Sequence, residues 1–318
     1  MKIALTGASG FLGRALLGAL AGHEVVAICR RPERLSDSFD VERRAADVLE
    51  PDSLEAAFEG CELVVHSGGG VSHHRKGATK MEAVHVTGTR NALTAARTCG
   101  VSRFVQISTS GAVAVSNSTH AVGREDDPSV LPVVKQFPYY RAKLFAEQEA
   151  MAFQGLDVYL LNPTLMLGPN DPEGRSVSIV KRYLDEPLPV APPGAVSFVD
   201  VRDVAAAVPL LLERGQTRRR YLLGAWNGSF LAFYERVARA AGLPSPTLAA
   251  PAASGRLLGL LPDPLRRRAY DVAGLQPHEL ALTSCSWMLD ASRARQELHW
   301  MPRDPGETIS DTIADLRS

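Results

Sequence analysis

Residues 6–13 read Thr-Gly-Ala-Ser-Gly-Phe-Leu-Gly, directly after the apolar run Ile3-Ala4-Leu5. The glycine-spaced turn is followed by leucines at helical intervals, Leu12, Leu16, Leu17 and Leu20. Strand, tight turn and helix in that order aim backbone N–H groups at an anion over the helix N-terminus. Gly7 permits the sharp turn, Gly10 lets the backbone approach a pyrophosphate, and Gly13 lets helix and strand pack closely. Thr6, Ser9, Phe11 and Leu12 complete the expected cradle. The spacing is G-x-x-G-x-x-G rather than G-x-G-x-x-G. No Gly-Lys-Ser/Thr ends the loop, which excludes a P-loop nucleotidase at this position.

Apolar runs at 25–29, 63–66, 104–107 and 158–161 then alternate with helical patterns at 51–58, 79–98 and 138–153. A further short strand ends at Asp47. Runs that are apolar throughout fit strands covered on both faces. Repeated strand–helix alternation predicts an α/β fold, a Rossmann-type doubly wound parallel sheet. From about residue 168 prolines crowd in (Pro169, Pro172, Pro187, Pro189, Pro192, Pro193), and 244–264 is again proline-rich. The expected division is a cofactor-binding domain over 1–168, rejoined by about 195–224, where Tyr221–Leu223 reads as a late strand. Residues 169–318 then form mainly a smaller C-terminal substrate-binding region.

Lysine plus arginine equals aspartate plus glutamate, at 35 each, so nothing in the charge balance calls for nucleic acid or an anionic membrane. The tract Arg218-Arg219-Arg220 reads as a solvated loop end. No apolar stretch has the length of a membrane span. The first strand starts at once, leaving no room for a signal peptide, so a cytoplasmic location is expected. Cys29, Cys61, Cys99 and Cys285 share no metal-type spacing, so no metal site is expected. Apolar surroundings for Cys29 and Cys61 fit buried thiols in a reducing compartment.

The end of the second strand reads Cys29-Arg30-Arg31-Pro32. NAD sites place an acid there for the ribose 2′-hydroxyl. Guanidinium groups suit a 2′-phosphate instead, so NADP(H) is expected in preference to NAD, held by Arg30 and Arg31. Asp47, after the third strand, is placed to meet the adenine edge.

Residues 139–143 read Tyr-Tyr-Arg-Ala-Lys. Tyr139 and Lys143 stand four apart, on one helix face, and Tyr140 at three apart reaches that face as well. A free phenol ionises near pH 10, and a neighbouring ammonium lowers that value. The run Ser108-Thr109-Ser110 offers hydroxyl donors at the carboxyl edge of the sheet, where ligands of open α/β sheets bind. Helix geometry alone does not choose between the two tyrosines.

With these motifs the chain resembles the extended short-chain dehydrogenases/reductases, in the epimerase/dehydratase and dihydroflavonol-reductase-like branch. The likeness covers Thr6–Gly13, Asp47-Val48, Val86-Thr87-Gly88-Thr89, Phe104–Ser110 and Tyr139–Lys143. It continues through Asn162-Pro163-Thr164, Gly168-Pro169, Phe198–Ala205 and Leu298–Pro302. The resemblance implies a catalytic set of Ser110, Tyr139 and Lys143. Tyr139 would donate a proton to the substrate oxygen, Lys143 hold the nicotinamide ribose, and Ser110 bond the carbonyl. It also implies cofactor contacts at Val48, Ser67, Gly68, Ser108 and Pro163. Two departures stand out: His66-Ser67-Gly68-Gly69-Gly70 replaces His-x-Ala-Ala, and His85 replaces an asparagine that bonds main chain. His85 is open to a structural or a proton-relay role. His73 and His74 read as solvated.

The leading functional expectation is an NADPH-dependent reductase of a ketone or aldehyde, or its reverse. The alternatives are a nucleotide-sugar epimerase with tightly held NAD and a non-catalytic NADP-binding sensor. Dehydratases of the family carry Asp-Glu after the hydroxyl position, where this chain has Gly111-Ala112. Phe137, Phe153, Tyr183, Trp226 and Phe230 are expected to line an apolar substrate pocket. Family dimers pair the helices carrying 79–98 and 138–153, and monomers also occur, which leaves a homodimer open.

Overall fold

Strand β1 (Lys2–Thr6) pairs in parallel with both β2 (Glu24–Cys29) and β4 (Leu63–His66), which puts the glycine turn at the middle of a sheet. The computed structural model describes residues 1–36, 38–70, 77–252, 254 and 277–318. Between these strands lie α1 (Phe11–Ala19), β3 (Glu42–Ala45) and α2 (Pro51–Phe58). After β4 come α3 (Ala78–Glu82), a π-helical turn (Ala83–Thr87), α4 (Gly88–Thr98) and β5 (Arg103–Ile107).

The chain continues through β6 (Val122–Gly123), α5 (Leu131–Val134), α6 (Pro138–Ala152) and β7 (Asp157–Pro163). Then follow β8 (Leu165–Leu167), α7 (Ser178–Asp185), β9 (Val190–Ala191), β10 (Ala195–Asp200) and α8 (Val201–Arg214). The last elements are β11 (Arg220–Leu223), β12 (Trp226–Ser229), α9 (Phe230–Ala241), β13 (Leu248–Ala249) and α10 (Pro277–Thr283). Beyond these lie β14 (Met288–Leu289), α11 (Ser292–Glu297) and α12 (Pro305–Arg317).

The main sheet has seven parallel strands in the order β11-β7-β5-β4-β1-β2-β3. Successive residues of β1 face opposite sides. Ile3 and Leu5 enter the core shared with α1 and α8, whereas Ala4 enters the one shared with α2 and α4. Both faces are therefore covered, as the unbroken apolar runs require. This is the Rossmann-type doubly wound architecture. A small sheet in the order β12-β10-β8 stands beside it. On the outer edge strand β11, the Leu222 N–H donates to the Glu125 carboxylate at 3.1 Å, so this edge amide has a partner in the chain.

Three features differ from the sequence reading. The helix expected over 79–98 is interrupted by the π-helical turn at Ala83–Thr87, and one extra residue per turn swings His85 inward to 2% exposure. β3 ends at Ala45, ahead of Asp47. The arginine tract is anchored rather than solvated. Arg218 caps the end of α6 through the Met151 and Phe153 carbonyls, at 3.2 and 2.9 Å. Arg219 pairs with Glu297 and Arg220 with the buried Glu147, each at 2.5 Å.

Cys29, Cys61 and Cys285 are buried free thiols. Among the described residues no helix is long and apolar enough to cross a membrane, and no group of His, Cys, Asp and Glu could hold a metal ion. His73 and His74 lie outside the described residues.

Candidate active site

The turn after β1 has no room for side chains. Gly7 has φ +72°, and a Cβ there would lie 2.7 Å from the Ser67 carbonyl oxygen. A Cβ on Gly13 would lie 2.1 Å from the Gly7 carbonyl oxygen. These approaches draw strand, helix and the loop after β4 together at one point. Gly10 is the N-cap of α1, with no side-chain cap and no acid in the first turn. The first amides of α1 thus face outward without a side-chain acceptor, and the helix dipole adds to their pull on an anion. Phe11 and Leu12 are buried in the core, so only their main chain can face a ligand. Ser9 is half-buried, and its carbonyl accepts from Arg14 Nε at 3.3 Å.

Thr6 acts inward. Its buried hydroxyl accepts from Gly68 N–H at 3.1 Å and lies 2.9 Å from His66 Nδ1. It therefore fixes the loop after β4 against the turn and has little capacity left for a ligand. Ser67 is half-buried and Gly68 buried at this junction. Val48 packs beside Gly68, and a Cβ on Gly88 would lie 2.8 Å from its Cγ2. The Asn91 amide donates to the Val48 carbonyl at 3.0 Å. Asp47 Oδ1 accepts from Leu49 N–H at 3.0 Å, which aims the carboxylate along its own loop. Arg30 and Arg31 are exposed at the carboxyl end of β2, with no partner among the described residues.

The second half of the site lies across the sheet edge. Lys143 is 7% exposed, and its ammonium donates to the Ile107 carbonyl at 2.8 Å. Burial lowers its pKa to about 8, against a partial rise from the Glu147 carboxylate. Burial pushes Tyr139 up to about 12. The lysine was expected to lower that value. Instead its ammonium is turned to the Ile107 carbonyl, and desolvation of the phenolate dominates. Ser110 opens a short 3-10 turn, Ser110–Ala112, capped by the Thr109 hydroxyl, which accepts from Gly111 N–H. Ser108 Oγ is buried without a partner among the described residues. Pro163 ends β7 beside Leu223.

The two tyrosine rings touch edge-on, 5.1 Å between centroids, but their other neighbours differ. A Cβ on Gly111 would lie 2.2 Å from the Tyr140 ring, which also meets Trp287 at 4.6 Å between centroids. Tyr140 is thus wedged between the 3-10 turn and Trp287. The Tyr139 ring instead meets His85 edge-on at 5.4 Å. His85 Nε2 lies 2.8 Å from the Gly70 carbonyl oxygen. Burial, followed by the Lys143 charge, lowers its pKa to about 3, so the ring is neutral at ordinary pH. It bonds main chain, as the asparagine it replaces does.

A family model for the NAD-dependent epimerase/dehydratase family matches residues 3–224. The chain belongs to this family. It is an enzyme of the extended short-chain dehydrogenase/reductase group, in the dihydroflavonol-reductase-like branch. It is 30% identical over 326 residues to sterol demethylase protein B of Methylococcus capsulatus, spanning 100% of this chain and 98% of that one. It is 29% identical to a putative dihydroflavonol 4-reductase of Synechocystis, spanning 98% and 92% of the two chains. The crystal structure of gox2253 superposes with a TM-score of 0.85 at 24% identity, covering 99% of this chain and 97% of that one.

The family binds NAD(P), and the residues here fit such a group. The uncapped α1 N-terminus fits a pyrophosphate, and the orphaned Ser108 hydroxyl lies at the carboxyl end of β5. The five aromatics expected at the substrate pocket fall into three groups. Phe153 packs under Arg97 at the far end of α6, about 20 Å along the helix from Tyr139. Tyr183, Trp226 and Phe230 belong to an aromatic core with Phe198, Phe233 and Tyr234. Phe137 lies beside the tyrosines, 6.3 Å from Tyr140 and 6.2 Å from Trp287 between ring centroids. Trp287 had no signal in its irregular surroundings. Glu147 did have one, since it stands four residues beyond Lys143.

Proposed function

We propose that the chain reduces a ketone or aldehyde to an alcohol with NADPH, using Tyr139 as the proton donor. The observation that supports this reading is the packing of α6 on the Ser110–Ala112 turn, which sets Lys143 and the paired tyrosine rings at the carboxyl end of β5. Lys143 bonds the Ile107 carbonyl, and Tyr140 packs on Gly111, the residues flanking the hydroxyl run. When bound, the nicotinamide supplies a hydride. Ser110 donates a hydrogen bond to the substrate carbonyl oxygen and orients it. Tyr139 delivers the proton that this oxygen takes up. Burial keeps the phenol protonated, so it stays a donor across the neutral range. Lys143 holds the nicotinamide ribose. Arg30 and Arg31 hold the 2′-phosphate, as exposed guanidinium groups with no other partner among the described residues.

The wall of Phe137, Tyr140 and Trp287 favours an apolar or aromatic carbonyl. An elimination of the dehydratase kind is disfavoured sterically. Where those enzymes place an acidic side chain, the Tyr140 ring leaves no room even for a methyl group on Gly111. The second reading is a nucleotide-sugar epimerase with retained NAD, favoured by the family's own range. The deciding experiment measures consumption of NADPH and NADH across a panel of aliphatic and aromatic ketones and aldehydes. Turnover with NADPH at the lower KM is expected. Purified protein that carries stoichiometric NAD and interconverts a nucleotide sugar, with no net cofactor consumption, would overturn it.

A further inference from the structure

Behind the site runs a buried polar chain that the reaction above does not use. Glu147 is 0% exposed and stands one turn beyond Lys143, so Tyr139, Lys143 and Glu147 share one face of α6. Its Oε1 accepts from Arg220 Nε at 2.5 Å and its Oε2 from Asn162 Nδ2 at 2.6 Å. Asn162, also 0% exposed, donates from the same nitrogen to the Thr109 carbonyl at 3.2 Å. One carboxylate on α6 thus links an arginine of β11, an amide of β7 and the residue before Ser110.

A carboxylate in the interior is costly unless its bonds and charges are matched. Arg220, at 29% side-chain exposure, supplies one cation from the rim. Lys143 stands one turn before Glu147 on the same face of α6, where the carboxylate favours the charged ammonium. We propose that Glu147 is a positioning residue for the site: it holds the Lys143 ammonium in its charged form and, through Asn162, fixes the Thr109–Ser110 main chain.

Other groups that face Lys143 cannot do this. His66 from β4 and His85 from the π-helical turn are both neutral, with pKa values lowered to about 3, first by burial. The phenol of Tyr139 is neutral as well. Glu147 is the only one of these facing groups that favours the charged lysine. The proposal rests on the placement of Lys143 in the site, but the relation between the two side chains can be measured without any turnover.

The test is competitive acetylation of Lys143 in the full-length, cofactor-free protein, read by mass spectrometry across pH. The wild-type midpoint is expected near 8. In Glu147→Gln it should fall by about one pH unit or more, and Glu147→Asp should restore it. Arg220→Gln, at the rim, should move it the opposite way, because the carboxylate has then lost its rim cation. If Glu147→Gln does not fold, Arg220→Gln decides the matter. A merely structural role would leave the midpoint in place or move both variants in one direction, and either result overturns the proposal. A full set of opposite shifts, in a protein that reduces no carbonyl, would sink the reductase reading and leave this one standing. With an active enzyme, the alkaline limb of kcat should move with the lysine midpoint in each variant.

Discussion

At the Gly7–Gly13 turn, space decides the structure. No methyl group fits at Gly7 or Gly13, and each close approach is made by main chain. On the Tyr139–Lys143 face of α6, charge and burial decide it. The phenol is held protonated, the ammonium is bonded to a carbonyl, and a buried carboxylate stands one turn on. In the proposed reaction the first region would bind through fixed backbone dipoles, which do not titrate, and the second would work through protons, whose affinities depend on charge and burial. A site that holds a cofactor rigidly and moves one proton needs both kinds of construction.

Substitutions should therefore fail differently in the two regions. Gly13→Val places atoms on the Gly7 carbonyl and should cost about 3 kcal/mol or more of stability. Denaturant unfolding measures this, and near-wild-type stability would contradict the steric account. Next in size, Arg30→Glu with Arg31→Glu should raise the KM for NADPH about 10- to 100-fold, in keeping with lost charge-assisted bonds. The KM for NADH should change little. Equal changes for both cofactors would remove these arginines from the 2′-phosphate. Thr6→Val leaves Gly68 N–H and His66 Nδ1 without their shared partner, at a cost of about 1–3 kcal/mol. A change no larger than an exposed Thr→Val control would show that this junction is not held by the hydroxyl.

The smallest effect is a pH trend. Lys143 loses its proton near pH 8 in the folded, ligand-free protein, against an ordinary value of 10.5. Between those limits the unfolded chain binds more protons than the folded one, so this group's contribution to stability rises with pH. Carbonyl reduction should fall through the same window, because it needs the ammonium. Activity and stability that decline together there would contradict the assignment.

The two regions were also unequally legible in the sequence. The glycine turn was readable because its constraint is local: a strand, glycines at fixed intervals and a helix lie within adjacent residues. The parallel sheet followed from the same kind of pattern. The tyrosine end was half readable. Spacing leaves Tyr139 and Tyr140 in competition, and the choice of Tyr139 comes from the family resemblance; the fold adds that Tyr140 meets Gly111 and Trp287 whereas Tyr139 meets His85, neighbours far apart in the chain. The arginine tract was misread because its partners, Met151, Phe153, Glu147 and Glu297, lie on other elements. The π-helical turn carried no signal, since one extra residue in a helix leaves the apolar spacing nearly intact. The lowering of the tyrosine pKa was expected from a charge four residues away, but desolvation is a property of the whole fold and outweighed it.

The central claim is that Tyr139 moves the proton in a reaction whose cofactor is held elsewhere. It is tested most directly by comparing wild type with Tyr139→Phe in two assays, NADPH binding by fluorescence and NADPH consumption with a reducible carbonyl. Binding should be unchanged within about twofold, while kcat falls by about 100- to 10,000-fold. Equal turnover by the two proteins would contradict the account.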